Sequence, residues 1–314
     1  MTRPNTEADA AAPSSRSPAR RSLLMEDFLA GGLAGIVSKT VIAPVERVKL
    51  LLQLQHASAQ IPADRRYKGV IDCCQRVYRE QGLLSFWRGN LVNVTRYIPS
   101  QSLNFALRDR YRRYFLKGVH IEDFWTYLML SLAAGGASGA TSLAVLYPFD
   151  FARTRVGADG SGGGSRQFRG SLDCLRQVYA KEGILGIYRG FDVALVGIIA
   201  WRALYFGLYD TFTTRLLGDR QGGTMAQRWG VAQAVTTLSG TAVYPMDTVR
   251  RRMMMQAGQE TPLYRGSLHC VRRIFAEEGY GGFYRGLSAN LVRGMGGAVV
   301  LVLYDEIRLV LGAV

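Results

Sequence analysis

A six-residue pattern, Pro-x-acid-x-x-base, occurs three times in this chain, as PVERVK (44–49), PFDFAR (148–153) and PMDTVR (245–250). The prolines at 44, 148 and 245 stand 104 and 97 residues apart. An aromatic-base-glycine triplet follows each proline by 19 to 23 residues: YKG at 67, FRG at 168 and YRG at 264. A second triplet begins 20 residues after the first in every copy, as WRG at 87, YRG at 188 and YRG at 284. Between them lie Glu80-Gln81-Gly82, Glu182-Gly183 and Glu278-Gly279. Such self-similarity means one structural unit used three times, each copy burying the same face against its neighbour.

Each unit reads as helix, short amphipathic helix, helix. Small residues four apart, Gly31/Gly35, Gly135/Gly139 and Ala232/Thr236, sit 13 and 9 residues before the motif proline and let helices approach closely in lipid. The stretches 26–54, 89–116, 124–155, 190–217, 225–255 and 286–312 are long enough to span about 30 Å of hydrocarbon. Pro44, Pro148 and Pro245 should kink the odd-numbered spans. The segments 70–81, 171–182 and 267–278 are too short and polar to span, and are placed at the membrane surface. The expected fold is an all-α membrane protein. Six transmembrane helices form three pseudo-symmetric repeats (23–118, 119–220 and 221–314) around a central cavity, in one membrane domain. Residues 1–22, rich in Ala, Ser, Pro and Arg without an apolar run, read as a disordered tail, with a weak organellar presequence as the alternative, and not as a secretory signal.

Composition agrees with a wet interior. Of the 314 residues 48% are hydrophobic and 20% charged, with 36 glycines, yet mean hydropathy is only +0.03, too low for a bundle of wholly apolar helices. The polar residues must therefore surround an aqueous space. A net charge of +15 calls for an acidic partner. No zinc spacing, RNP-like strand or basic zipper favours nucleic acid, and no GxxxxGK[ST] loop favours hydrolysis. A transporter rather than an enzyme is expected. Cys73, Cys74, Cys174 and Cys270 show no metal-ligand spacing, and three of them match between repeats, so helix packing is their expected role. His56, His120 and His269 are too scattered for a metal site and read as surface residues.

Transporter sites lie near the membrane midplane, between repeats. Seven residues past the glycine of each second triplet stand Arg96, Gly197 and Arg293. Two guanidiniums and one bare position suit a solute with phosphates at one end and a flat ring at the other. Arg96 and Arg293 offer bidentate, charge-assisted bonds to phosphate. Gly197 and Ile198 leave an apolar slot, and Trp201, one turn on, offers a face for stacking a base.

The three-repeat pattern resembles the mitochondrial carrier family over nearly the whole chain. PMDTVRRRMMM, NFAL at 104, FARTR at 151 and RGMGGAVVLVLYDE at 293 resemble its ADP/ATP carriers. The resemblance implies exchange of cytosolic ADP for matrix ATP by alternating access in the mitochondrial inner membrane, with both termini towards the intermembrane space. It adds Lys39, Asn104, Arg202 and Arg251 to the substrate-binding set, with tyrosine usual where Trp201 stands here. It implies a matrix gate of pairs Glu46–Arg153, Asp150–Arg250 and Asp247–Lys49. A local Glu46–Lys49 pair on one helix face is the simpler alternative. It further implies a cytoplasmic gate at Asp109/Arg112, Asp210 and Asp305/Arg308, one ion pair short because Thr213 stands where a base is expected. Lastly it implies surface helices on the matrix side, a monomer, and cardiolipin as a bound lipid clamped at the helix N-termini opened by Gly69, Gly89, Gly170, Gly190, Gly266 and Gly286. A carrier of another phosphorylated anion, or a secondary proton leak, would keep the same repeats.

Arg250, Arg251 and Arg252 cannot grip one phosphate, since successive helix residues point about 100° apart. Arg250 completes a gate motif, Arg251 turns towards the cavity, and Arg252 turns to an acid such as Glu278. Met253 to Met255 read as adaptable packing.

Overall fold

The computed structural model describes residues 18–58, 60–117, 124–160, 166–217, 224–259 and 262–294. Repeat one contains α1 (Pro18–Leu54), α2 (Val70–Gln81) and α3 (Asn90–Phe115). Repeat two contains α4 (Phe124–Ala158), α5 (Ser171–Ile187) and α6 (Phe191–Leu217); repeat three contains α7 (Met225–Met255) and α8 (Ser267–Phe283). The chain is helical again from 287 to 294. The remainder of the sixth expected span, 295–312, lies outside the described residues, as do His120, Asp305 and Arg308.

Two boundaries differ from expectation. α1 begins at Pro18, so 18–22 are helical and do not belong to a disordered tail. Proline is tolerated in the first turn, where its missing N–H has no intrahelical partner, and Ala, Arg and Leu follow it. The short helices do stop where the glycines predicted: Gly82, Gly183 and Gly279 all take left-handed backbone, with φ of 77°, 66° and 66°. In repeats two and three the helix resumes beyond the break and runs on to Ile187 and Phe283.

Consecutive spans pack side by side, α1 on α3, α3 on α4, α4 on α6 and α6 on α7, and the motif helices α1, α4 and α7 touch one another. Among the described residues, by composition alone only 129–158 and 191–216 are apolar enough to cross a membrane. α1, α3 and α7 carry acids and bases that an isolated span could not hold in lipid, and their ring arrangement gives those charges a shared interior. Val196, Ile199, Leu204 and Phe206 of α6 are exposed on the outside, as lipid contact requires.

Three small apolar cores sit at one end of the ring, one per repeat, around Cys73, Cys174 and Cys270. All four cysteines are free thiols, and these three are fully buried, as their matched positions predicted.

The prolines explain a feature that repeats one and two share. A proline lacks the N–H that would bond the carbonyl four residues back. The side chain of the second triplet's aromatic fills that gap: Trp87 Nε1 donates to the Thr40 carbonyl at 2.9 Å, and the Tyr188 hydroxyl to the Ala144 carbonyl at 2.8 Å. One turn past the gate, Gln55, Asp159 and Gln256, each 11 residues after its proline, accept from the backbone N–H of Tyr67, Phe168 and Tyr264 at 2.7, 3.0 and 2.7 Å. These bonds pin the start of each surface helix to the end of the preceding span.

Candidate functional site

At the end where the three cores lie, α1, α4 and α7 converge and their charged motifs meet. Lys49 Nζ lies 2.9 Å from Asp247 Oδ2, and Arg250 Nη2 lies 2.8 Å from Asp150 Oδ2. Arg153 pairs with Glu46. Each base thus pairs with the acid of another repeat and not with the acid three residues before it. The two motif charges of each helix face the common axis, where the neighbouring helix presents the opposite charge. All six side chains are at least mostly buried, so the pairs form a continuous plug.

Neighbours the sequence reading did not name brace this ring. Asn93 Nδ2 donates to Glu46 at 3.2 Å, and Asn290 Oδ1 accepts from Lys49 at 2.9 Å. Both stand four residues past the glycine of the second triplet, a shared offset that the sequence does carry; the middle copy has Ala194 there. Gln53 donates to Thr248 at 2.9 Å and to Asp247 at 3.4 Å, tying α1 to α7.

Directly above the ring is a cavity of about 340 Å³. One wall is charged and predominantly cationic, with Lys49, Arg153, Arg250, Arg251 and Arg293 against the acids Glu46 and Asp247. The other is apolar, with Gly197, Ile198 and Trp201 of α6 facing Val243 and Met246 of α7. Gly197 is buried; a Cβ there would stand 3.5 Å from Met246 Cβ and 3.7 Å from Val243 Cγ1, in van der Waals contact with both, so even one methyl group would fill the slot at this point. The Trp201 ring stacks on Tyr205 at 5.2 Å, and Tyr205 on Tyr209 at 5.8 Å, making a file of parallel rings up α6.

Four members of the expected binding set do not line this cavity among the described residues. Arg96 pairs with Asp150, which therefore accepts from two guanidiniums, Arg96 and Arg250. Lys39 is half-buried, with Glu46, Arg293, Arg153 and Arg96 as its charged neighbours. Asn104 is half-buried two turns beyond Arg96, too far along α3 to reach the cavity floor. Arg202 is the clearest departure. One residue past Trp201 its side chain is turned about 100° away, donates to the Gly135 carbonyl and lies over Gly139. The paired glycines of α4 thus make room for an arginine; in α1, Gly35 likewise makes room for the Tyr97 ring.

The profile of the family described as mitochondrial carrier protein matches three segments of the chain, residues 21–119, 124–220 and 222–313. The chain belongs to the mitochondrial carrier family. Its relatives include ADP/ATP translocase 2 of Bos taurus, 55% identical over 287 residues that cover 90% of this chain and 96% of the relative. ADP/ATP translocase 3 of Homo sapiens is 54% identical over 290 residues, covering 91% and 97%. ADP/ATP translocase 4 of Bos taurus is 53% identical over 285 residues, covering 90% and 88%.

The run RRRMMM in this carrier spreads around one helix. Arg250 joins the ring, Arg251 contacts Asp247 at 3.0 Å on the cavity wall, and Arg252 pairs with Glu278, with Nη2 at 2.9 Å from Oε2. Met253 enters the core of repeat three, Met254 that of repeat two, and Met255 a cluster with Leu50 and Leu54 of repeat one. Six residues therefore touch all three repeats.

The basic residue of each second triplet is also held in a matched way. Arg88 donates to Gln81 at 3.1 Å, Arg189 to Glu182 at 2.7 Å, and Arg285 Nε lies 3.1 Å from Glu278 Oε2. Gly89, Gly190 and Gly286 all have φ of 79° and lie against α4, α7 and α1 in turn: a Cβ on Gly190 would stand 2.9 Å from the Arg250 carbonyl, and one on Gly286 3.0 Å from the Lys49 carbonyl. Gly69, Gly170 and Gly266 have extended backbone and no atom within 4 Å of a Cβ position.

At the opposite end Asp109, Arg112 and Asp210 are exposed, and Arg112 donates to the Tyr127 hydroxyl at 3.3 Å. Thr213, at the position where a base was expected, is 2% exposed. One expectation fails outright: His56 is no surface residue. It lies between repeats one and three, accepting at Nε2 from Arg285, with Nδ1 3.7 Å from Glu278. Burial pushes its pKa down to about 4, and the Arg285 charge adds to that. His269 is exposed, as expected.

Proposed function

We propose that this carrier exchanges ADP for ATP across the mitochondrial inner membrane by alternating access, cytosolic ADP entering against matrix ATP. The observation that carries the reading is the two-sided cavity above the ring. Its cationic wall suits a polyphosphate and its apolar slot suits a base, and translocases of ADP and ATP are its relatives over nine-tenths of the chain. Arg293 and Arg251 hold phosphate oxygens, the Gly197–Ile198 step with Trp201 holds the base, and Arg96 and Lys39 complete the cationic surround. Asn104 belongs to the path above the cavity; Arg202, held at Gly135 and Gly139, stays beside it in this conformation.

The ring of Glu46, Lys49, Asp150, Arg153, Asp247 and Arg250 is the matrix gate, closed in this conformation. Asp109, Arg112, Asp210, Asp305 and Arg308 form the cytoplasmic gate, which has one ion pair fewer because Thr213 carries no charge. A bound polyphosphate competes with Asp150 and Asp247 for the arginines and so lowers the cost of parting the ring. An empty cavity offers no such exchange of partners, and coupling of the two substrates follows. ATP carries one more negative charge than ADP, so each turnover moves charge.

Both termini face the intermembrane space, and the protein works as a monomer. Cardiolipin is held at the rim of the surface helices, where Gly69, Gly170 and Gly266 open α2, α5 and α8 into free space and leave unpaired N–H groups for a phosphate. Gly89, Gly190 and Gly286 form the other half of each clamp.

The test is uptake of labelled ATP into proteoliposomes. Uptake that requires internal ADP is expected, with Arg293→Ala or Arg96→Ala losing nucleotide binding while the detergent-solubilised fold survives. Uptake into empty vesicles at the same rate, or normal exchange by either variant, overturns the reading.

A further inference from the structure

A second cavity, of about 480 Å³, lies on the far side of the ion-pair ring from the first. Its wall draws on all three repeats: Gln60 after α1, Arg155 at the end of α4, Gln177 and Lys181 on α5, and Gln259 after α7. Nothing in the exchange reading uses it.

Arg155 makes this cavity chemically specific. Its side chain is buried, the residue being 7% exposed, and no carboxylate lies within ion-pair distance of it among the described residues. It donates to the Met255 carbonyl, and its guanidinium carbon lies 5.3 Å from the Phe168 ring centroid. The acid in the same wall, Asp159, is occupied: it accepts from Gln60 Nε2 at 2.9 Å and from the backbone N–H groups of Gln167 and Phe168 at 3.1 and 3.0 Å. Lys181 donates to the Gly258 carbonyl at 3.2 Å and keeps two ammonium protons for another acceptor. Its two acidic neighbours, Asp159 and Glu182, are shared with other donors, Glu182 with Arg189 at 2.7 Å and the Gly258 N–H at 2.6 Å, so the buried guanidinium is only partly compensated, and an anion in the adjoining space adds to that compensation.

We propose that this cavity binds a phosphate-bearing anion from the side on which the gate is closed. Arg155 and Lys181 are its cationic contacts, and the side-chain amides of Gln177 and Gln259 are its neutral donors. The site bridges the ends of α4 and α7 and touches the segment after α1. Opening the ring separates these ends, so the bound anion holds the gate closed and slows exchange from that side. Its matrix orientation rests on the topology proposed above; the site itself does not.

The experiment is thermal unfolding of the purified full-length carrier in detergent with pyrophosphate, inorganic phosphate or ATP. Pyrophosphate should raise the midpoint in the natural protein and in Arg96→Ala alike. Lys181→Gln, a change at an exposed side chain, should weaken that effect about tenfold in apparent affinity, the size of one charge-assisted bond. Stabilisation of Arg96→Ala by ATP as well assigns the site to nucleotides; stabilisation by inorganic phosphate and pyrophosphate alone assigns it to the free ions. Pyrophosphate inside Lys181→Gln vesicles should inhibit exchange less than inside vesicles of the natural protein. The proposal is overturned by a shift lost in Arg96→Ala but kept in Lys181→Gln, or by no shift in any protein. Neither result touches ADP-dependent ATP uptake, which tests the exchange reading separately.

Discussion

Asp150 accepts from two guanidiniums, and this makes its removal unlike that of its partner. Arg250 Nη2 is 2.8 Å from Asp150, with 17% and 14% of the two side chains exposed, and Arg96 pairs with the same carboxylate. Unit charges about 4 Å apart attract by about 4 kcal/mol at an effective dielectric constant of about 20, much of it offset by desolvation. Asp150→Asn strands both guanidiniums in the closed ring, where breaking a buried pair costs about 3–5 kcal/mol. Arg250→Gln leaves Asp150 paired with Arg96, so its cost should fall to about 1–2 kcal/mol. At about 2 °C per kcal/mol, the unfolding midpoint in detergent should drop by roughly 6–10 °C for the first variant and roughly 2–4 °C for the second. The double variant, with one stranded arginine instead of two, should be milder than Asp150→Asn alone. Equal losses for the two single variants, or strictly additive losses in the double, would refute the shared-carboxylate argument.

Gln256 holds Tyr264 by two bonds, accepting from its N–H at 2.7 Å and donating to its carbonyl at 3.0 Å. Gln256→Leu leaves both groups unpaired in a buried place and should cost about 2–4 kcal/mol, read as a lowered midpoint; an unchanged midpoint refutes the clamp. Gly190→Ala should be strongly destabilising, because its φ of 79° is left-handed and the new Cβ would meet the Arg250 carbonyl at 2.9 Å, whereas Gly170→Ala, with φ of 178° and open space, should be tolerated. Comparable expression and midpoints for the two would contradict this. The folded-state pKa of His56, about 4, lies below its ordinary 6.5, so between those values the unfolded chain binds the extra proton. Stability should be complete above about pH 6.5 and fall as pH drops towards 4; His56→Gln should flatten that part of the profile, and an unaltered profile would exclude the group.

The arrangement of the spans, the short helices and the three charged motifs was legible because each was written three times at a fixed offset. Repetition turns a weak local signal, such as one acid three residues from one base, into a register for a whole assembly. The bracing side chains were legible in principle by the same rule: Gln55, Asp159 and Gln256 share an offset, as do Asn93 and Asn290. Singly, each is an ordinary polar residue whose partner belongs to another segment, a backbone N–H for the first three and a gate side chain for the two asparagines. The tail boundary was missed because the first turn of a helix needs no pattern beyond a tolerated proline.

The sequence by itself determined the threefold unit, the placement of its charges beside kinking prolines, and the asymmetry of Arg96, Gly197 and Arg293, since period and residue type are properties of the chain. Only the tertiary structure decided who pairs with whom. Asp150 meets two arginines, Arg202 turns into the Gly135–Gly139 groove, and His56 is enclosed by Arg285 and Glu278. Such partners lie on different segments of the chain, and on a helix a rotation of one residue, about 100°, decides whether a side chain meets the cavity, the neighbouring helix or the lipid.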